Sequence, residues 1–589
     1  MLTPVKYSPG TIKSKQHTKL TSAAFIDTNG VRFQSDGRLS TIPAYSQAAI
    51  DEISGKTRAI YAQRITGSSA GDCYFFGTHS HLYVEKNNIR YNITPLVTTG
   101  VALTTDPFAL VNGDATMTVT YTAHGLAVDD RIKFSGATHG TVGFATANIN
   151  IEHIVATVIN ANVFTVELPA NAPATDATEG GASVLIYKQI VAGIESQVAA
   201  AGMGGGHYGA GLFGAGASSA TGLLSYPRIW SFGAFGDDVV MCPGDRTAGD
   251  GQKIYIWDGD TAVAPTVLTN APTDCNWVAV VNNSIVALCG RTIKISALGA
   301  GTTWSGLLYR AKTFERIDVA HSAFNHGEKN AIIHHGNGVI LLRYIGGADI
   351  WDLSDLFTDD GVASPYSTAR LADVLYWRGS RGFYSYDGGI VKQLNNPQNM
   401  DWIINNVNNT KDWHSFAATD TENQEIYFHF PTGSEDEPSD YVILSQDGSF
   451  TLGRMDRTAA QRPGIFSNTF YMADGEDIYR HFTRGAVTFD WYAETAFAAV
   501  EGGEQRIFLN EFRPDSTQSG NITLEIISRE YAQSADVSHG TWTITPTTEL
   551  ISPKAAGRFI KLKFSGSTAA VLGLWSYNIK ALGKRIGAV

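Results

Sequence analysis

Carboxylate clusters are the first residues in this chain that could do chemistry. Acidic side chains adjoin at Asp129/Asp130, Asp237/Asp238, Asp359/Asp360 and Glu435/Asp436/Glu437. A pair of carboxyl groups held about 5–10 Å apart can cleave a glycosidic bond, one as acid and one as base or nucleophile. These clusters sit in Asp-rich turn sequence, where a carboxylate bonds its own backbone, so no catalytic residue is assigned to them. His334 and His335 are adjacent and would face opposite sides of a strand. His79 and His81 are two apart and would share a face, but no third ligand lies near them in sequence. Cys73, Cys242, Cys275 and Cys289 form no CxxC pair and no zinc spacing. They read as small buried hydrophobes, and nothing demands a disulfide. Nucleophile elbow, Walker loop and HExxH are absent from the sequence. No catalytic, cofactor-binding or metal-binding residue is named, no cofactor is expected, and the chain reads as a non-enzyme.

The elements around these residues are strands. Short runs such as DCYFF (72–76), LYV (82–84), VILLRY (339–344), GFYSY (382–386) and EIYFHF (425–430) are rich in β-branched and aromatic residues and end at Gly, Asn or Asp. A unit recurs in which an aromatic strand runs into a polar turn: IYIWDG (254–259), FYSYDG (383–388), VILSQDG (442–448) and YMADGEDIY (471–479). Its spacing is too uneven to count repeats. Helical periodicity is rare. The best stretch is VAGIESQVAAA (191–201), with MDWIINNV (400–407) second. The expected fold class is therefore all-β: a β-propeller with an inserted small β domain and a C-terminal β-sandwich. Residues 445–451 (SQDGSFT) faintly resemble the Asp-box turn of sialidase propellers, but the motif occurs once and reads as a hairpin.

At about 100–200 residues per domain, 589 residues make three to five domains, or fewer large all-β ones. The expected division is an N-terminal segment with the first propeller strands (1–100), the inserted module (101–188), the rest of the propeller (189–488) and the sandwich (489–589). The module carries MTVTY, HGLAVDDRIKF and NVFTV. The sandwich carries the period-2 strand RFIKLKF (558–564). The glycine-rich stretch GMGGGHYGAGLFGAG (202–216) lacks the strand and helix of a dinucleotide-binding loop and reads as a contact or packing loop.

Charged residues make up 17% of the chain, against the usual ~25%. So little surface charge fits a protein that hides surface in an assembly. The net charge of −12 argues against a grip on nucleic-acid phosphates, yet suits a wall past which DNA slides. The locally basic regions are 6–19 and the tail KALGKR (580–585); Lys13, Lys15 and Lys19 could meet an acidic partner or DNA, but a solvated terminus is the preferred reading. The N-terminus has no apolar h-region and no apolar run reaches ~18 residues, so neither signal peptide nor membrane helix is expected.

Several stretches, in shared order, resemble the tail nozzle or tail-hub (head-to-tail stabilisation) proteins of short-tailed bacteriophages. They are FIDTNGVRFQSDGR (25–38), FFGTHSHLYV with YNITPL (75–96), TAHGLAVD with VFTV in the module, the glycine-rich stretch with IWSFG (229–233) and IYIWD, and a close on Gly557-Arg558, Leu574-Trp575 and Gly583-Lys584-Arg585. Gly30 loosens the first match. The resemblance implies a virion protein made in the host cytoplasm. It would be built as a homo-oligomeric ring, a hexamer, among other tail and adaptor or portal-associated proteins, with genomic DNA passing through the lumen unbound. A receptor- or glycan-binding propeller is the alternative, and a glycan-degrading enzyme the third reading.

Overall fold

The computed structural model describes residues 3–4, 10–13, 24–48, 53–66, 69–98, 100–138, 144–198, 225–247, 249–315, 319–347, 350–394, 397–445, 448–462, 470–483, 489–499, 503–573 and 575–581. Among them, strands account for nearly all regular structure, arranged as a propeller, a module and a sandwich.

The propeller has seven blades among the described residues. Five are separate four-stranded antiparallel meanders at 231–267, 277–313, 320–357, 368–394 and 416–454 (blades 2 to 6). Blade 1 (57–92) and blade 7 (459–483) share one eight-stranded sheet, because their inner strands Thr57–Ile65 and Ala459–Arg462 pair in parallel. Blade 7 supplies only three of its own strands. Its outermost strand is Ala44–Gln47, which pairs with Asp477–Thr483 and closes the ring with the N-terminal part of the chain.

Blade strands follow a gradient that the sequence writes directly. Strands packed between two neighbouring blades are buried on both faces, so they read as unbroken apolar runs rather than alternating ones: Ser284–Cys289 (SIVALC) is buried at every position. The outermost strand Arg310–Thr313 (RAKT) of the same blade is exposed at every position. Asn282 and Asn283 both take left-handed φ, 46° and 55°, in the two-residue turn between Trp277–Val281 and Ser284–Cys289. That backbone matches the strand twist and is tolerated best by Asn and Gly. Blades lock through aromatics. Trp230 of blade 2 donates from Nε1 to the Thr78 carbonyl of blade 1 at 2.8 Å. A Cβ on Gly77 would lie 2.4 Å from Trp230 Cδ1, so only glycine lets the indole seat there.

The inserted module follows blade 1. Eight strands from Val101–Ala102 to Leu185–Lys188 form one curled sheet around Phe108, Met117, Ile132, Phe134, Phe164 and Ile186. The sandwich is shared by the two ends of the chain. Phe25–Asn29 pairs with Trp491–Thr495, and Val31–Phe33 and Leu39–Thr41 join a sheet with Ala570–Leu572 and Ser516–Gln518. Phe25, Phe33, Trp491, Phe564 and Trp575 meet in its core.

Two expectations for helix have different outcomes. Helix α1 (Pro397–Asn406), between blades 5 and 6, buries Met400 and Ile403 where MDWIINNV was read as helical. The stretch from 191 is not helical over its described part, 191–198. Its backbone groups are taken by distant partners: Arg228 Nη2 donates to the Val191 carbonyl at 2.8 Å, Gly193 N–H to the His79 carbonyl at 2.7 Å, and Arg228 N–H to the Ile194 carbonyl at 2.8 Å. Helical hydrogen bonds lose to these.

Candidate functional site

The propeller axis is filled. Arg462, on the inner strand of blade 7, lies 4.4 Å over the ring of Phe324 in blade 4 and 5.5 Å over Tyr366, which leads into blade 5. Contact between blades 7 and 4 requires the side chains to cross the centre. Tyr366 reaches further, donating its hydroxyl to the Trp230 carbonyl of blade 2 at 2.5 Å and packing on Trp277 of blade 3. Tyr61 stacks on Phe232 beside them. Burial lifts the Tyr61 and Tyr366 hydroxyls to about 12 despite the Arg462 cation, as expected of a water-poor centre.

One face of the propeller carries an apolar rim. In a meander blade the first and third turns emerge on one face and the second turn and the blade-to-blade connection on the other. The module leaves from a blade-to-blade connection, so it occupies the second face. On the first face, the end where the third strand turns into the fourth exposes an aliphatic side chain in each of blades 1 to 5: Ile89 at the start of the fourth strand of blade 1, and Val263, Leu307, Ile345 and Ile390 in the links of blades 2 to 5. Leu307 is 95% exposed and Ile390 67%. The corresponding ends of blades 6 and 7 go to the sandwich. Thr11 N–H bonds the Phe450 carbonyl of blade 6 at 2.7 Å, and blade 7 passes directly into and out of sandwich strands there.

On the same face, a cleft of about 700 Å³ opens between blades 1 and 7, lined by Arg64, Tyr74, Glu85, Asn87, Tyr471 and Arg480. Its charges are partly paired. Arg64 Nε bonds Asp72 at 2.7 Å, and Tyr471 donates to Glu85 at 3.3 Å. Burial lifts the Glu85 carboxyl above its ordinary range even with Arg90 3.6 Å away.

Of the carboxylates singled out from sequence, Asp130, Asp237, Asp360 and Glu437 are taken up by structural hydrogen bonds and ion pairs. Asp130 takes Lys188 at 2.7 Å and the Ala127 N–H at 2.8 Å, while Asp129 makes a left-handed turn. Asp237 accepts from Thr66, and the burial of Asp238 together with Asp258 and Asp237 raises its carboxyl. Asp360 is buried and accepts from Ser380 N and Oγ, Arg381 N and Tyr384 Oη, fixing the turn before the third strand of blade 5. Glu437 takes Arg58 Nη2 at 2.8 Å and Lys56 at 3.1 Å. Burial would raise its carboxyl, but those cations bring it down to about 2.

The histidines are structural as well. His81 meets Glu152 of the module at 2.9 Å, and Glu152 also pairs with Arg131 at 2.9 Å, so this turn residue anchors the module to blade 1. His334 packs between Phe324 and Trp377 with Thr368 Oγ1 3.2 Å from Nε2, and His335 Nδ1 accepts the Asn337 N–H at 3.3 Å. Sequence reasoning did not single out His414. Its Nε2 accepts the Gln197 N–H at 3.0 Å, so its other nitrogen, Nδ1, donates to the Asp436 carbonyl at 2.6 Å. Lys13 pairs with Asp27. Lys15, Lys19, the glycine-rich stretch 202–216, Gln446 and Asp447 of the single Asp-box-like turn, and the tail beyond 581 lie outside the described residues.

No protein-family model matches the chain, and no curated protein does. Among solved structures it is similar to the computationally designed Ika8 protein, at 11% identity over 74% of this chain and 100% of that one, TM-score 0.31. It is also similar to YCF48 from Cyanidioschyzon merolae, at 9% identity over 62% and 98%, TM-score 0.26. A third is the phage phi92 endosialidase, at 9% identity over 82% and 69%, TM-score 0.17. Overlaps this loose carry no functional argument.

Proposed function

We propose that the chain is a non-enzymatic structural subunit of a bacteriophage tail, packing with copies of itself into a ring, hexameric by the resemblance, through which the genome leaves the particle. Other tail and adaptor or portal-associated proteins would be its neighbours. The observation that carries this reading is the apolar rim. Five successive blades each present an aliphatic side chain on one face, and the remaining two blade ends are already used for packing against the sandwich. Exposed aliphatic side chains repeated on one face make that face the candidate association surface. The order of parts also supports the reading, since a propeller interrupted after its first blade and joined to a sandwich is what the resemblance implies. In this reading the DNA path would run between subunits, since side chains of blades 4, 5 and 7 meet across the propeller centre.

Purified protein should form ring-shaped oligomers in electron micrographs and a matching mass by light scattering. Leu307→Asp combined with Ile390→Asp should yield monomers with unchanged circular dichroism. Monodisperse wild-type monomers that fail to join virions would end this reading.

The cleft between blades 1 and 7 favours a second reading, in which the propeller binds a cell-surface glycan. Tyr74 supplies a ring, and Arg64, Asn87 and Arg480 supply planar donors suited to sugar hydroxyls. A glycan array should then show binding that Tyr74→Ala weakens at least tenfold. An array on which wild type and variant are equally silent rejects it.

A further inference from the structure

Cys275 and Cys289 come from different parts of blade 3. Cys275 lies in the connection entering the blade, just before Trp277–Val281, and Cys289 ends Ser284–Cys289. Trp277 pairs with Leu288, and Asn276 N–H donates to the Leu288 carbonyl at 2.8 Å, so the chain sets the two cysteines side by side. Their sulfurs are 3.0 Å apart, within about 1 Å of the length of an S–S bond. Cys242 is near, but its sulfur points to the Cys275 carbonyl at 3.5 Å, and Cys73 belongs to blade 1.

We propose that Cys275 and Cys289 are an oxidation site that closes into an intrachain disulfide on exchange with a small-molecule disulfide. Cys289 is the more exposed of the two and attacks first, as thiolate. One sulfur of the external disulfide becomes bonded to Cys289 and the other leaves as a thiolate. Cys275 then loses its proton and attacks the Cys289 sulfur, expelling the second external thiolate. Two protein thiols are oxidised and one external disulfide is reduced to two thiols. Lys294 stands beside the pair, bonded to Asp274 at 2.8 Å, and its charge favours the attacking thiolate. The hydrogen shared with Cys275, and burial, push the Cys289 thiol up, so the pair persists as thiols in reducing surroundings.

Asp274 and the two sulfurs lie within 4.8 Å of one another, a set that would also suit a soft metal ion. The Lys294 ammonium is already bonded to that carboxylate at 2.8 Å, which disfavours a second cation there. The bond would staple the entrance of blade 3 to its second strand across 14 residues and raise its resistance to unfolding.

The full chain, reduced and then incubated with oxidised glutathione, should lose two of its four alkylatable thiols on unfolding, with no glutathione retained. Peptide mapping should recover a 275–289 link, with Cys73 and Cys242 alkylated. The melting temperature should rise in oxidised wild type and stay unchanged in Cys275→Ala and Cys289→Ala. Four alkylatable thiols after oxidation, a lasting glutathione adduct on Cys289, a link through Cys242, or stoichiometric cadmium held by reduced protein at these residues would each overturn the proposal.

Discussion

Lowering the pH from 7.5 to 5 should lower the melting temperature by roughly 5 °C, because the propeller is built on neutral histidines. Burial, with His335 adding to it, pushes His334 down to about 3. Burial, with Arg457 nearby, does the same to His429, and burial with Arg58 brings His414 to about 4. His321 and His481 are held well below their ordinary value by burial and by Arg246 and Arg457. In the unfolded chain these imidazoles titrate near about 6.5. Between the unfolded and folded values the unfolded state binds more protons. Stability is therefore fully present above about 6.5 and lost as pH falls toward 4 and then 3. His334, His414 and His429 each forfeit on the order of 2 kcal/mol by pH 5. The geometry explains why protonation is resisted. Protonated His414 would turn Nε2 toward a Gln197 N–H that it now accepts, and His481 Nε2 accepts from Arg457 Nε at 3.0 Å. His429 stacks on Phe416 with ring centres 4.6 Å apart. His429→Phe should therefore keep the packing and remove about a third of the three-histidine loss. Differential scanning calorimetry from pH 8 to 5 measures this. A melting temperature that stays flat over that range would contradict the neutral buried state.

The all-β class was legible because strands buried between blades read as unbroken apolar runs, and their turns carry Asn and Gly at left-handed positions. The strands of the module, from Val101–Ala102 to Leu185–Lys188, pair among themselves, and its stretches MTVTY and NVFTV alternate as strands in the sequence. Blade number was not. One blade-to-blade connection holds the whole module, and in blade 3 the third and fourth strands, Thr292–Ile295 and Arg310–Thr313, are separated by a long link, so no fixed period survives. Ring closure left no local trace either. Ala44–Gln47 pairs with a strand more than four hundred residues away, and its own sequence, AYSQ, is no different from an ordinary edge strand. The neighbouring strands Val31–Phe33 and Leu39–Thr41 belong to the sandwich. The histidines were visible as residues but not as buried acceptors, because their partners Gln197, Arg246 and Arg457 are distant in sequence. The apolar rim was hidden for a related reason. A lone Ile or Leu in a turn means little until five of them fall on one face.

The N-terminal sandwich strands run directly into the strand that closes the ring, so the contact between sandwich and blade 6 decides whether the two unfold together. Arg32, on Val31–Phe33, reaches Glu425 at the start of the second strand of blade 6, with Nε 2.9 Å from both carboxylate oxygens. Arg32 is 9% exposed and Glu425 1%. Gly30 N–H to Tyr441 Oη at 3.2 Å, Thr28 Oγ1 to the Leu452 carbonyl at 2.6 Å and Arg454 N–H to Asn29 at 2.7 Å complete the contact. Burial raises the Glu425 carboxyl to about 7, with Arg32 opposing. An acid whose folded value exceeds its unfolded one is easiest to bury at low pH, and its ionised form becomes a burden as pH rises through 7 unless a cation meets it. Arg32→Ala should therefore destabilise the protein by about 3–5 kcal/mol at pH 8. The loss should be clearly smaller at pH 6, where the orphaned carboxyl takes a proton. Glu425→Gln in the Arg32→Ala background should recover part of the pH 8 loss, since it removes the buried charge and keeps the shape. Urea unfolding followed by tryptophan fluorescence should also split into two transitions in Arg32→Ala, as Trp491 and Trp575 report on the sandwich separately from the propeller tryptophans. A loss below about 1 kcal/mol, equal at both pH values and with a single transition, would mean that backbone contacts and not this ion pair join the two bodies.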